Sequence, residues 1–232
     1  MSKLLTALVL LSAPLFAETA ALEQARALYQ RTQYREALKV IESARASGAA
    51  VWELVGRCHY MLDDFGSAIE AFQKAASANP ANSVPVNWLG KSYGRKAEKA
   101  SFLSAPGLAS KARQYFEKAV QLDPHNKEAI SDLFDYYMEA PGFLGGGTEK
   151  AAALAERSRE LDGAEYHYYL ARLAEKRKDF QTAEKAYRRA AELAPNQAGR
   201  LIDLARFLSK RGRFAESDAT FQRAEKIAPD TP

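Results

Sequence analysis

Cysteine is almost absent. Cys58 is the one thiol in 232 residues, so no internal disulfide forms, and the chain lacks the covalent staples common in small exported domains. Cys58 sits beside Gly56 in an apolar helical stretch, which favours a packing residue over a reactive thiol. Histidine is scarce too: only His59, His125 and His167 occur. None is spaced from Cys58 or another histidine as a zinc site requires, so no metal site and no cofactor is expected. There is no G-x-S-x-G or H-E-x-x-H string. The acid pair Asp63-Asp64 falls at a break between helices, where water solvates it. With no candidate catalytic residue, the chain is not expected to be an enzyme. Neither charge sign dominates, since 33 Lys and Arg face 29 Asp and Glu for a net +4. An isoelectric point near 9.0 admits nucleic acid as a partner, but the export signal described next argues against it.

Long apolar runs are missing as well. The run Leu4–Leu11 is shorter than the roughly 20 residues a spanning helix needs. With Lys3 before it, Pro14 after it and Ala17 as a cleavage point, Met1–Ala17 reads as a secretory signal peptide. Leu15 at the −3 position is less suited than alanine. No cysteine lies near the cut, so a lipid anchor there is excluded. The expectation is an exported protein, periplasmic or secreted, with no membrane span once the signal is removed.

What the chain does have is a period. In the 34-residue block Ala49–Asn82, Trp52, Val55, Gly56 and Tyr60 follow one helical face. Asp63-Asp64 breaks the run. A second stripe follows at Phe65, Ala68, Ile69, Phe72, Ala75 and Ala76, and Asn79-Pro80 ends it, because the residue before proline leaves the helical region. The spacing returns as Leu170, Ala171, Phe180, Ala183, Tyr187, Ala190 and Pro195. It returns again as Leu204, Ala205, Phe214, Ser217, Phe221, Ala224 and Pro229. A unit of helix A, turn and helix B buries its stripe only against the next unit.

These residues resemble the tetratricopeptide repeat family. Its pattern sets an aromatic early in helix A, Leu-Gly a turn later, a second aromatic, then Ala, aromatic, Ala and Pro through helix B. The resemblance implies an all-α, right-handed α-solenoid of stacked hairpins, with five to six repeats over residues 18–232. Their bounds are Glu18–Gly48, Ala49–Asn82, Ser83–Asn126, Lys127–Gly163, Ala164–Gln197 and Ala198–Thr231. The fourth departs most. Phe134 stands where helix A has a small residue, Ala155 where helix B has an aromatic, and Gly163 where the closing proline belongs. A locally altered helix crossing is expected there.

The resemblance also implies where a partner binds. Helix A lines the inner groove, and the ninth position of each repeat faces it. That column reads Arg26, Arg57, Lys91, Asp135, Arg172 and Arg206, five of six basic. One reading is a positive stripe that steers an acidic partner. The other is a solvated face paired with neighbouring glutamates. Tyr29, Tyr60, Met61, Met138 and Tyr168 flank the column as candidate anchors. The carboxylate clamp of chaperone-tail receptors is absent, with Leu22 and Glu53 at fifth positions.

Two insertions lie between the paired helices: Gly94–Ser110 in the third repeat and Ala140–Gly147 in the fourth. Phe102, Leu103, Phe143 and Leu144 either pack together and patch the irregular fourth repeat, or form an apolar binding lip. Gly145-Gly146-Gly147-Thr148 lacks the lysine and the preceding strand of a phosphate loop, so Thr148 is read as a helix N-cap. Asp218 and Glu225 in the last helix suggest partial self-capping of the stack. The alternative is that Phe214, Phe221 and Ile227 leave a sticky end, so a monomer or weak homodimer is expected. The expected function is protein–protein interaction, with an unidentified acidic peptide or protein of envelope assembly or secretion as partner. The rival is a small-ligand or glycan binder, or accessory enzyme subunit, that uses the insertions.

Overall fold

A computed structural model describes residues 19–228, and every regular element among them is helical. The signal segment read at Met1–Ala17 lies outside these residues. The helices are α1 (residues 19–30), α2 (Tyr34–Ala44), α3 (Ala49–Met61), α4 (Phe65–Ala78), α5 (Ser83–Glu98) and α6 (Ala105–Leu122). Then come α7 (Lys127–Glu139), a 3-10 turn (Gly142–Leu144), α8 (Thr148–Ser158), α9 (Gly163–Lys176), α10 (Phe180–Leu193), α11 (Ala198–Lys210) and α12 (Phe214–Ile227). No helix among the described residues is long and apolar enough to cross a membrane. The chain divides into two compact units, Met1–Leu133 and Phe134–Pro232.

In the first unit α2 packs on α3, α3 on α4, α4 on α5 and α5 on α6. Each turn has a local cause. Asp63 takes a left-handed φ of 62°, which aspartate tolerates because its short side chain bonds locally. Asp64 then caps α4, its carboxylate accepting from Ser67 N at 3.1 Å. Asn82 caps α5 in the same way, through Val84 N at 3.0 Å. In the second unit α8 packs on α9, α9 on α10, α10 on α11 and α11 on α12. Asp179 and Asp162 supply the caps of α10 and α9.

The hairpins close on a ring set against a missing side chain. A Cβ built on Gly56 would stand 2.6 Å from the Phe72 ring, and one on Gly90 2.5 Å from the Phe116 ring. Both rings are buried. In the second unit Ala171 and Tyr187 hold the equivalent positions in α9 and α10, and both belong to the buried core. In the fourth repeat the sizes are exchanged. Phe134 and Ala155 are both fully buried, and Phe134 stacks on Tyr169 with ring centroids 4.1 Å apart. Phe134, the large residue in the first helix of this repeat, is a core ring.

Three local expectations are corrected. The Gly94–Ser110 insertion is mostly helix: α5 runs to Glu98, α6 starts at Ala105, and only residues 99–104 lie between them. Arg95, Lys96, Ala97 and Glu98 are good helix formers that lengthen α5, and Pro106 in the first turn of α6 is pre-set for a helix start. Thr148 is the first residue of α8 and not its cap; Gly147 holds the cap position, and the Thr148 hydroxyl donates to Glu149. Phe102, Leu103 and Phe143 are 90 %, 89 % and 83 % exposed, so they are not core patches.

Two outcomes follow. Gly90→Ala should destabilise by about 1–3 kcal/mol, because overpacking outweighs alanine's better helix propensity. Gly94→Ala, four residues on in the same helix with no atom nearer than 4.0 Å, should stabilise by up to about 1 kcal/mol. Thermal melts by circular dichroism should therefore move in opposite directions. Cys58 is fully buried, and burial pushes its thiol up to about 11. It should resist alkylation at neutral pH in the folded protein and react promptly in denaturant. Fast reaction in the folded chain would contradict the packing role.

Candidate functional site

The A-helix column folds onto surface-facing turns, because the opposite face of each helix carries the small residues buried against helix B. In the first unit Arg26 pairs with Glu23 at 2.8 Å and Arg57 with Glu53 at 2.7 Å, each within one helix. Lys91 instead reaches α7, at 2.6 Å from Glu128 and 3.2 Å from Asp132. Asp132 also accepts from Asn87 Nδ2 at 2.6 Å. Burial alone would lower the Lys91 ammonium, but the two carboxylates outweigh it and hold the charge. Burial raises the Asp132 carboxyl above its ordinary range, and Lys91 and Asn87 offset part of that.

Trp88 lies between these cations. The Arg57 guanidinium sits 4.9 Å from its ring centroid and the Lys91 ammonium 4.8 Å. Tyr60 meets the same ring edge-on at 5.1 Å, so Tyr60 supports the tryptophan as well as facing outward. Tyr29 and Leu54 line a shallow cavity of about 350 Å³ with Arg26, Glu53 and Arg57. Met61, at the end of α3, is exposed.

In the second unit Arg172 makes a three-way contact: Asp135 at 2.8 Å, Glu139 at 3.3 Å and the Tyr168 hydroxyl at 3.1 Å. Asp135 is the one acid of the column, and it binds the arginine one repeat further on. These partners raise the Arg172 guanidinium's pKa despite its burial. Arg200 lies over Tyr168 at 4.2 Å and pairs with Asp203 at 2.9 Å and with Glu165. Tyr187 donates to Glu175 at 2.8 Å, and burial with that carboxylate pushes its phenol up, so it stays neutral.

These side chains line a groove of about 430 Å³ with Tyr168, Phe180, Tyr187 and Phe207 along it and Arg172, Asp203, Arg206 and Lys210 at its edges. Arg206 is exposed and makes no ion pair or hydrogen bond to any described residue. Met138 is among the residues lining this groove, although it is only 4 % exposed. It contributes its carbonyl, which accepts from Lys176 at 2.9 Å, because the apolar side chain turns into the core. Four of the five basic column residues are thus paired, so the column is not a stripe of free positive charge.

Sequence reasoning missed Trp88, Asn87, Asp132, Glu175, Phe180, Tyr187 and Arg200. Part of the signal was present, since the acids stand about one repeat from the bases they bind. The apolar residues of the insertions separate from the grooves: Phe102, Leu103 and Phe143 stand in solvent. Leu144 is partly covered, with its carbonyl taken by the Tyr136 hydroxyl at 3.0 Å. Among the described residues no cluster of His, Cys, Asp and Glu is arranged to hold a metal.

Comparison with known proteins finds the same family along the chain. Three models described as tetratricopeptide repeat match, one over residues 22–83 and 145–198, a second over 173–232 and a third over 89–126. The first alone spans half the chain. No curated protein matches. Among solved structures, a thermophilic TPR protein of Thermus thermophilus is 20% identical with a TM-score of 0.61, covering 87% of this chain and 99% of its own. PilF of Pseudomonas aeruginosa is 16% identical with a TM-score of 0.64, covering 94% of this chain and 95% of its own. A tetratricopeptide repeat protein of Parabacteroides merdae is 13% identical with a TM-score of 0.63, covering 93% of this chain and 81% of its own. At such identities the likeness is one of fold. With the repeat register and the matching models together, the chain belongs to the tetratricopeptide repeat family.

Proposed function

We propose that this chain is a non-catalytic interaction module that binds an acidic peptide or partner protein, exported to the periplasm and serving envelope assembly or secretion. The repeat fold suggests a protein–protein interaction module, and such proteins are generally scaffolds. The observation that carries the acidic partner is Arg206, an exposed guanidinium at the edge of the aromatic groove in the second unit that makes no ion pair or hydrogen bond to any described residue, with Asp203 as its nearest charge influence. A carboxylate arriving there displaces no internal partner. Hydrogen bonds to a charged group are worth about 1.5–3 kcal/mol, and Tyr168 and Phe180 offer the aromatic surface on which an interface anchors. The paired arginine acts differently. Arg172 already holds carboxylates, so it would fix the register of a partner more than it adds affinity.

The export reading rests on Met1–Ala17 and the acidic-partner reading on the groove, so they fail independently. Secretion of a fusion carrying residues 1–17 tests the first. For the second, Arg206→Glu should weaken crosslinked capture of the partner by about tenfold, as loss of a charge-assisted contact implies, while the melting temperature stays unchanged. Tyr168→Ala should also reduce capture. If both variants capture as well as the parent chain, the groove is not the binding surface.

A further inference from the structure

The α5–α6 hairpin ends in a feature that the groove does not use. Phe102 and Leu103 sit side by side at its tip, 90 % and 89 % exposed. The tip is a fixed turn. Ser104 N and Ala105 N both donate to Ser101 O, at 3.0 and 2.9 Å, and the Ser101 and Ser104 hydroxyls meet at 3.0 Å. The turn is therefore held with its two largest apolar side chains outward. From Lys99 to Phe116 there is no acidic residue. Lys99 pairs with Asp63 at 2.8 Å. Lys96 and Lys111 have no carboxylate partner among the described residues; Lys111 rests over the Tyr93 ring at 5.3 Å.

Two exposed apolar side chains on a turn, flanked by cations that have no carboxylate partner among the described residues, make a small knob without the surrounding rim that excludes water from a protein hot spot. It suits a surface that yields around it. An anionic bilayer accepts apolar side chains at the headgroup–acyl boundary and attracts the lysines beside them. We propose that this tip is a peripheral membrane-contact site: Phe102 and Leu103 enter an anionic lipid surface while Lys96 and Lys111 meet its headgroups. Two side chains make the attachment reversible and salt-sensitive. It tethers the chain through a hairpin apart from the groove residues, so lipid contact and partner binding use different side chains.

The test uses the full chain with Ser104→Cys carrying an environment-sensitive dye; buried Cys58 stays unlabelled. Vesicles of phosphatidylcholine with phosphatidylglycerol should shift the dye emission to the blue, and pure phosphatidylcholine should do so far less. F102S/L103S should abolish the shift. K96E/K111E should reduce binding about fivefold or more at low salt. All four side chains are exposed, so the variants should melt with the parent, which separates loss of contact from loss of fold. A dye that stays unshifted on anionic vesicles overturns the proposal. So does a shift that persists in F102S/L103S. A shift that grows with protein concentration without vesicles also overturns it, because a second copy then covers the tip.

Discussion

Close approach of helix A to helix B depends on one contact, an aromatic ring lying where a side chain is missing. Gly56 receives Phe72 and Gly90 receives Phe116, each at a distance that no Cβ would survive. Protein interiors are packed to crystal density, so the ring and the notch are specified together. In the fourth repeat the order of large and small residues is reversed: Phe134 lies in α7 and Ala155 in α8, and both remain fully buried. Volume-conserving exchanges are the ones that cores tolerate best.

Because one face of each A helix is committed to that contact, the polar residues gather on the other face, and neighbouring repeats bring them within reach. The pairings are cross-repeat where the acids permit. Lys91 reaches Glu128 and Asp132, Arg172 reaches Asp135, and Arg200 reaches Glu165. Exposed ion pairs contribute little stability, typically below about 1 kcal/mol. Those drawn partly out of solvent beside Trp88 and Tyr168 act more as geometric constraints, since breaking one strands a charge. They hold the surface chains in defined rotamers, which lowers the entropy lost on binding.

The fold was legible because the period is carried by shape: small and aromatic residues recur at fixed offsets. The groove was only half legible. Reading one column down the repeats shows the sign of Arg57, Lys91 and Arg172 but not that of their neighbours. Glu53 is four residues from Arg57, and Asp135 is one repeat from Arg172. Either pairing becomes visible only when helix phase and repeat stacking are applied together. Met138 lines the groove of the second unit but is almost wholly covered, so it offers little surface to a partner. The insertions mislead because length beyond the family pattern reads as loop. Most of the extra residues near Gly94 and Ser110 extend the flanking helices, and this thrusts Phe102 and Leu103 outward.

The distribution of paired and free cations determines how such a surface would discriminate. A carboxylate approaching Arg172 competes with Asp135 and Glu139 already in place, so the exchange leaves the count of charge-assisted bonds nearly unchanged. At Arg206 the same carboxylate breaks no ion pair or hydrogen bond, although Asp203 lies close enough to feel the guanidinium's charge. If the groove takes an acidic partner, affinity would concentrate at its edge by Arg206. A segment that offers a cation opposite Arg172 meets two carboxylates beside the one guanidinium, so Arg172 alone does not reject it. A neutral one leaves the internal pairs intact and gains only apolar contact. Specificity of this kind has a short range, because salt screens everything beyond about a Debye length.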